Sequence, residues 1–233
     1  MQAQTVTRRK GPLTRPLLSS GVLGGPLFVA AFLLEGARRP GYDNLRQPVS
    51  ALALGEHGWE QRANFVGTGL LMLALSRGLK QASEAEGGGT RWGPRCVALY
   101  AAGLIGAGVF VTDPVDGYPP DHEAGSAPTV TGLLHNLCAL PVFGGLSAAA
   151  FLYARHFARS GDTGWAVSSA LTGALVPSGL LLFGHALSQE TGLGRVAGLI
   201  QRLTIAVGWG WIASAAMHFL RPEDGHPSRR VAG

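Results

Sequence analysis

An all-α bundle of six membrane-crossing helices is the architecture this sequence predicts, on three observations. Apolar residues come in long uninterrupted blocks. Charged residues make up 14% of the 233-residue chain, where a soluble domain carries about 25%. None of the blocks alternates polar and apolar residues over about 10 positions, so barrel strands are no rival. A positive mean hydropathy of +0.20 excludes a disordered chain, which is poor in apolar residues. Cys96 and Cys138, the two cysteines, lie far apart. That excludes a disulfide framework and a Cys-based zinc module, and both read as apolar fillers.

A helix needs about 20 mostly apolar residues to cross ~30 Å of hydrocarbon, and six stretches meet or approach that length. The first, 17–35, is uncharged up to Glu35. Gly-Ala-Arg-Arg-Pro follows it rather than a small-residue cleavage site, so it reads as a span and not a signal peptide. The second, 61–79, opens on Gln61, Arg62 and Asn64. The third, 96–112, is the shortest and is uncharged until Asp113 follows it. Stretches 131–153, 165–185 and 198–220 complete the set. Small residues such as Gly24, Gly25, Gly103, Gly106 and Gly208 let helix backbones approach closely, the usual glue where lipid supplies no hydrophobic drive. Pro26, Pro141 and Pro177 mark kinks. The chain thus divides into a tail at 1–16, a membrane domain at 17–220 and a second tail at 221–233.

The pI near 9.8 invites a nucleic-acid reading, but the basic residues sit between the apolar blocks. Thirteen of the 19 Lys and Arg residues fall on the side that holds both termini, and six on the other. Under the positive-inside rule both termini are cytoplasmic, so the charge is a topology signal and no nucleic-acid partner is expected. The connection around Gly87, Gly88 and Gly89 reads as a flexible link. Two long connections, 36–60 and 112–130, both lie outside. The first is expected to form an ordered cap, with Ser50 capping a short surface helix that carries Leu52 and Leu54. Trp59 is expected at the membrane interface.

The run Arg39-Pro-Gly-Tyr-Asp-Asn-Leu-Arg-Gln-Pro-Val-Ser-Ala-Leu-Ala-Leu-Gly, followed by Gly58-Trp59-Glu-Gln61 and Asn64-Phe65, resembles a bacterial membrane family catalogued as domain of unknown function 998. Thr112-Asp-Pro-Val-Asp-Gly-Tyr-Pro-Pro and Gly132-Leu-Leu-His135-Asn136 fit the same family. The resemblance covers roughly residues 17–220. It implies a six-helix, multi-pass protein of the bacterial plasma membrane, and it implies no activity.

Polar residues of the spans gather in the outer third: Glu35, Arg62, Asn64, Asp113, Thr131, His135, Asn136, His185, Ser188, Gln189, Gln201 and Arg202. Ionisable groups in a membrane normally face a bundle interior or a wet cavity. An outward-facing pocket lined by Glu35, Arg46, Arg62, Asn64, Asp113, His135, His185 and Arg202 is therefore expected, with a membrane lipid or other amphiphile as its partner. Three chemistries suit these residues. Asp113, His135 and His185 could hold a divalent metal such as zinc with an open position for water. Ser50, His135 and Asp113 could serve acyl transfer. Glu35 and Asp113 could act as acid and base while arginines grip an anionic head group. A haem held by His135 and His185 is conceivable on ligand type alone. Each residue also has a structural reading: His135 as a helix contact, Asp113 as a turn residue, and Glu35 with Arg38 or Arg39 as an ion pair. The rival class is a non-enzymatic binding, transport or accessory subunit. Mid-helix positions are mostly Gly, Ala, Leu and Val, which gives a transport path little support.

The orientation is directly testable. In intact cells a membrane-impermeant thiol reagent is expected to modify Asp121→Cys and to spare Gly88→Cys; the reverse pattern overturns it.

Overall fold

The computed structural model describes residues 11–85, 89–115, 117–120, 127–188 and 192–221. Expectations that rest on the tails at 1–10 and 222–233, on Gly87 and Gly88, or on Asp116, Asp121, Glu123 and Gln189 lie outside those residues. Long helices occupy all six apolar blocks. They are α1 (Thr14–Arg38), α2 (Gly58–Ala85), α3 (Trp92–Val109), α4 (Val130–Ala139) continued through a π turn (Leu140–Gly144) into α5 (Gly145–Ser160), α6 (Thr163–Leu187) and α7 (Ala197–Leu220). Short 3-10 turns, Val49–Ala53 and Gly192–Val196, precede α2 and α7. Four of the helices are long and apolar enough to cross a membrane: α1, the α4–α5 rod, α6, and α7 with its leading turn. The other two are more polar. Helix α2 carries Glu60, Arg62, Arg77, Lys80 and Glu84, and α3 spends its first turn on Trp92, Gly93, Pro94 and Arg95.

The helices form a closed ring in chain order. Each packs on the next, α3 meets the α4–α5 rod, and α7 returns against α1. Contacts at the two ends show that neighbours run antiparallel. At one end the Thr14 hydroxyl of α1 donates to Gln81 Oε1 of α2 at 2.8 Å, and Phe157, Trp165, His218 and Phe219 cluster from α5, α6 and α7. At the other, Arg62 at the start of α2 donates to the Gly108 carbonyl near the end of α3 at 3.1 Å, and Gly198 N–H at the start of α7 bonds Arg46 O at 2.9 Å. The first is here termed the turn end and the second the cap end.

Interior packing is aromatic: Phe28 meets Phe32, Phe65 and Trp209, with ring centroids 5.4–5.6 Å apart. The outer faces carry Leu27, Leu34, Leu70, Leu99, Leu137, Leu175 and Leu203, all exposed. An apolar exterior all round a packed bundle is what lipid requires and water penalises. Ser20 donates to Leu71 O at 2.8 Å, Ser147 to Gly173 O at 2.5 Å, and Trp211 Nε1 to Ser169 Oγ at 2.9 Å. These side-chain bonds join neighbouring helices where no water could serve.

Two local devices shape the ring. Gly161, at φ +80°, ends α5 in the left-handed region, and Asp162 Oδ1 then accepts from Trp165 N–H at 3.3 Å to cap α6. A two-residue turn therefore suffices. Pro141, which has no N–H, coincides with the π turn. Pro26 and Pro177, by contrast, lie inside continuous helices.

A Cβ built on Gly78 would sit 2.9 Å from the Leu17 Cβ and the Leu18 backbone nitrogen, while one on Gly67 in the same helix meets nothing within 4 Å. Gly78→Ala is expected to destabilise the detergent-solubilised protein by about 1–3 kcal/mol through overpacking. Gly67→Ala is expected to stabilise it by about 0.5–1 kcal/mol through helix propensity. Thermal melting of the two variants checks both.

Candidate functional site

The cap over one end of the ring is ordered, as its Pro and aromatic content predicts, but its short helix differs from expectation. It is a 3-10 turn with Val49, Ala51, Leu52 and Ala53 buried, so it lies in the bundle and not on the membrane surface. Pro48 precedes the turn and Ser50 lies within it, so Ser50 is not the cap residue. Trp59 remains exposed. The cap is clasped by Arg202, which is buried near the start of α7. Its Nη1 donates to the carbonyls of Gln47 at 2.9 Å and Gly198 at 3.0 Å. Its Nη2 donates to Tyr42 Oη at 2.6 Å and Asn44 Oδ1 at 3.0 Å. The guanidinium also lies over the rings of Phe32 and Tyr42. The Tyr42 hydroxyl accepts from Arg202 and donates to Pro48 O at 2.9 Å. Burial pushes that hydroxyl up to about 12, against the opposing pull of Arg202. Tyr118 from the second long loop packs edge-on against Tyr42 at 5.2 Å.

Most of the charged residues singled out from the sequence are engaged in holding helix ends together. Arg62 satisfies the Gly108 carbonyl at the end of α3, a group with no intrahelical partner. Asp113 accepts from the Thr129 hydroxyl at 2.6 Å and Thr129 N–H at 3.1 Å, and Thr129 in turn caps α4 by accepting from Gly132 N–H at 3.0 Å. Gly132 leaves room for that carboxylate, which any Cβ there would meet. Asn64 donates to Phe28 O and Gln61 Oε1, each at 3.1 Å. Glu35 is buried 3.7 Å from Arg39, whose guanidinium also donates to the carbonyls of Leu54 and His57. Arg46, half-buried in the cap, pairs its carbonyl with α7. His185 lies on the exposed side of α6.

Asp113 acts on His135 through its charge, but the ring's hydrogen bonds go elsewhere. His135 is buried, and its Nδ1 lies 2.8 Å from Phe110 O and 3.1 Å from Ala107 O, the terminal carbonyls of α3. Carbonyls only accept, so Nδ1 carries a proton, and in the neutral form of the ring the lone pair lies on Nε2. Asp113, His135 and His185 likewise do not assemble as metal ligands: among the described residues no three His, Cys, Asp or Glu side chains form a group that could hold a metal ion.

His135 lines a cavity of about 140 Å³ inside the ring. The cavity starts beneath the cap at Val49 and Ser50, passes His135, Asn136, Gln201 and Thr204, and ends at mid-bundle among Tyr100, Leu146, Val176 and Trp209. The lining is mostly apolar, and its few polar groups, Ser50, His135, Asn136 and Gln201, lie toward the cap. Gln201 Oε1 accepts from Val49 N–H at 2.8 Å, so what this amide can offer a ligand is its NH2. Among the described residues no Asp, Glu, Lys or Arg lines the cavity. Of the eight residues expected around a pocket, His135 alone faces this one. Thr204 and Cys138 were missed by the sequence reading. Each follows an identified polar residue by three positions, the spacing of one helix face, and that was the available signal.

A family model described as Protein of unknown function (DUF998) matches residues 22–218. No curated protein and no solved structure matches the chain.

Because Arg202 is buried and its hydrogen bonds go to neutral oxygens, removing it leaves those groups without a donor. Arg202→Leu is expected to cost about 2–5 kcal/mol and to speed hydrogen exchange across 42–54, with Arg202→Lys a poor rescue because an ammonium lacks the planar fork. The Tyr42 part of the clasp holds below pH 10 and is lost as pH rises toward about 12, because the unfolded hydroxyl ionises first. Melting and exchange unchanged in Arg202→Leu would show that the clasp carries no weight.

Proposed function

As the chain belongs to the DUF998 family, whose description assigns no activity, its role is read from the cavity, and we propose that it is a six-span plasma-membrane protein that binds an amphiphile with an uncharged head. Four helices supply spans by length and composition. Helices α2 and α3 stand in the closed ring between α1 and the α4–α5 rod, antiparallel to their neighbours, and turn Leu70, Leu73 and Leu99 outward. A helix in that position crosses with the rest. The Lys and Arg bias then turns the cap and the polar end of the cavity to the outer face.

The cavity's graded polarity carries the reading. Its volume of about 140 Å³ is close to the ~150 Å³ that accommodates a benzene-sized apolar group. It therefore takes a short stretch of one alkyl chain, not a diacyl lipid. Lipid tails are as apolar as the cavity wall, so moving a chain from bilayer to cavity gains little. Selectivity has to come from the polar end. There His135 Nε2 offers an acceptor, while Ser50, Asn136 and Gln201 offer neutral hydrogen-bonding groups. A charged head would enter without a counter-charge, at a cost of several kcal/mol. The anionic head group expected from the arginines therefore gives way to an alcohol, amide or glycerol head.

One observation favours modification over simple binding. His135 is held in the tautomer whose Nε2 can take a proton, in the same cavity as the Ser50 hydroxyl. That arrangement suits a hydrolase or transferase acting on the head group.

Reconstituted protein is expected to retain a monoacylglycerol at least tenfold better than a fatty acid of the same chain. His135→Ala and the cavity-filling Val176→Trp should abolish that preference while the protein still folds, and His218→Ala should not. Equal retention of the two probes would sink the neutral-head reading. Turnover of the monoacylglycerol that disappears in both His135→Ala and Ser50→Ala would assign an enzyme.

A further inference from the structure

At the turn end, away from the cavity and independent of it, a groove of about 490 Å³ runs between the start of α3 and the last turns of α5. Gly89, Thr90, Arg91 and Trp92 form one wall. Leu152, Arg155, His156, Arg159 and Ser160 form the other. Arg91, Arg155 and Arg159 are exposed, and among the described residues no carboxylate pairs with any of them. Arg95, one turn on from Arg91, stacks over the Trp92 ring at 4.6 Å, with Arg91 at 5.9 Å. Three guanidiniums around one concave site repel one another unless an anion sits among them.

We propose that this groove is a phosphate-binding site. Planar guanidiniums match a tetrahedral phosphate with paired N–H donors, and three of them from two helices surround the space a phosphate would fill. Thr90 and His156 add polar atoms along the walls. The surroundings favour a phosphate carried by a lipid. Trp92 is 53% exposed beside the groove, the setting of an aromatic ring at headgroup depth, and Leu152 supplies an apolar patch on the wall. In the proposed orientation this end faces the cytoplasm, where basic pockets between membrane helices meet anionic headgroups. The same chemistry would also accept a free phosphate. The paired charges therefore do more than set topology: they converge, and a topology signal needs no convergence.

The test uses the full-length protein in nanodiscs. One arm compares retention of phosphatidylglycerol by native mass spectrometry against a phosphatidylcholine background. The other titrates inorganic phosphate by calorimetry in phosphatidylcholine alone. The expected result is phosphatidylglycerol retention that falls at least tenfold in Arg155→Gln/Arg159→Gln and in Arg91→Gln. Arg221→Gln, which removes the same single charge as Arg91→Gln but outside the groove, should stay within twofold. Arg155→Lys/Arg159→Lys restores the charge without the forks and is expected to recover only part of the binding. Saturable heat with inorganic phosphate, lost in the same variants, would assign the site to free phosphate. If neither probe binds, or if Arg221→Gln weakens binding as much as the groove variants do, the proposal is overturned. Melting temperatures of all variants separate lost binding from lost folding.

Discussion

The buried guanidinium of Arg202 is the interaction on which the cap end of this protein depends. It joins α7 to Tyr42, Asn44 and Gln47, and through them positions the 3-10 turn that supplies Val49 and Ser50 to the cavity. A lone cation is costly inside a protein unless its donors are satisfied. Here four oxygen acceptors and two aromatic faces meet most of that need without a carboxylate, serving both Nη groups while Nε is left without a partner. The cost of burial is what makes the clasp specific, because a shifted cap would leave the charge with unmade bonds.

A second constraint divides the polar residues at the cap end into two populations. Helix ends expose N–H and C=O groups that lipid cannot satisfy. Arg62 meets the end of α3, Asp113 with Thr129 meets the start of α4, and Asn64 ties α2 to α1. These residues share a depth because the helix ends share it. His135 belongs to both populations. Its Nδ1 serves the terminal carbonyls of α3, and that same bond leaves Nε2 as the ring's acceptor beside the cavity. The anchor fixes which ring nitrogen carries the proton.

The two ends of the ring therefore present different recognition chemistry. At the cap end the cavity is mostly apolar, with its few polar groups toward the cap and, among the described residues, no charged side chain in its lining. At the turn end the groove is cationic and open between two helices. Charge can stand without a carboxylate at the second site because its arginine side chains are exposed. It cannot at the first, where burial would penalise it.

Composition and apolar block length determined the helical architecture, since a chain surrounded by lipid must close its backbone bonds within each segment. All six blocks became long helices, the cap packed where Pro40, Tyr42 and Pro48 punctuate the chain, and the gathering of polar residues near one set of helix ends was legible from helix boundaries alone. What the sequence could not give was the direction of each side chain and the partner it finds. Arg202 reads as a free cation until Tyr42 and Asn44, some 160 residues away, fold onto it. Asp113 and His135 read as hydrogen-bond partners until Thr129 and the Phe110 carbonyl take their hydrogen bonds, which leaves only charge between the two. The groove reads as a topology signal until the ring brings α3 beside α5. Spans follow from local composition, whereas a site is a convergence of residues distant in the chain, and only tertiary packing decides which of them converge.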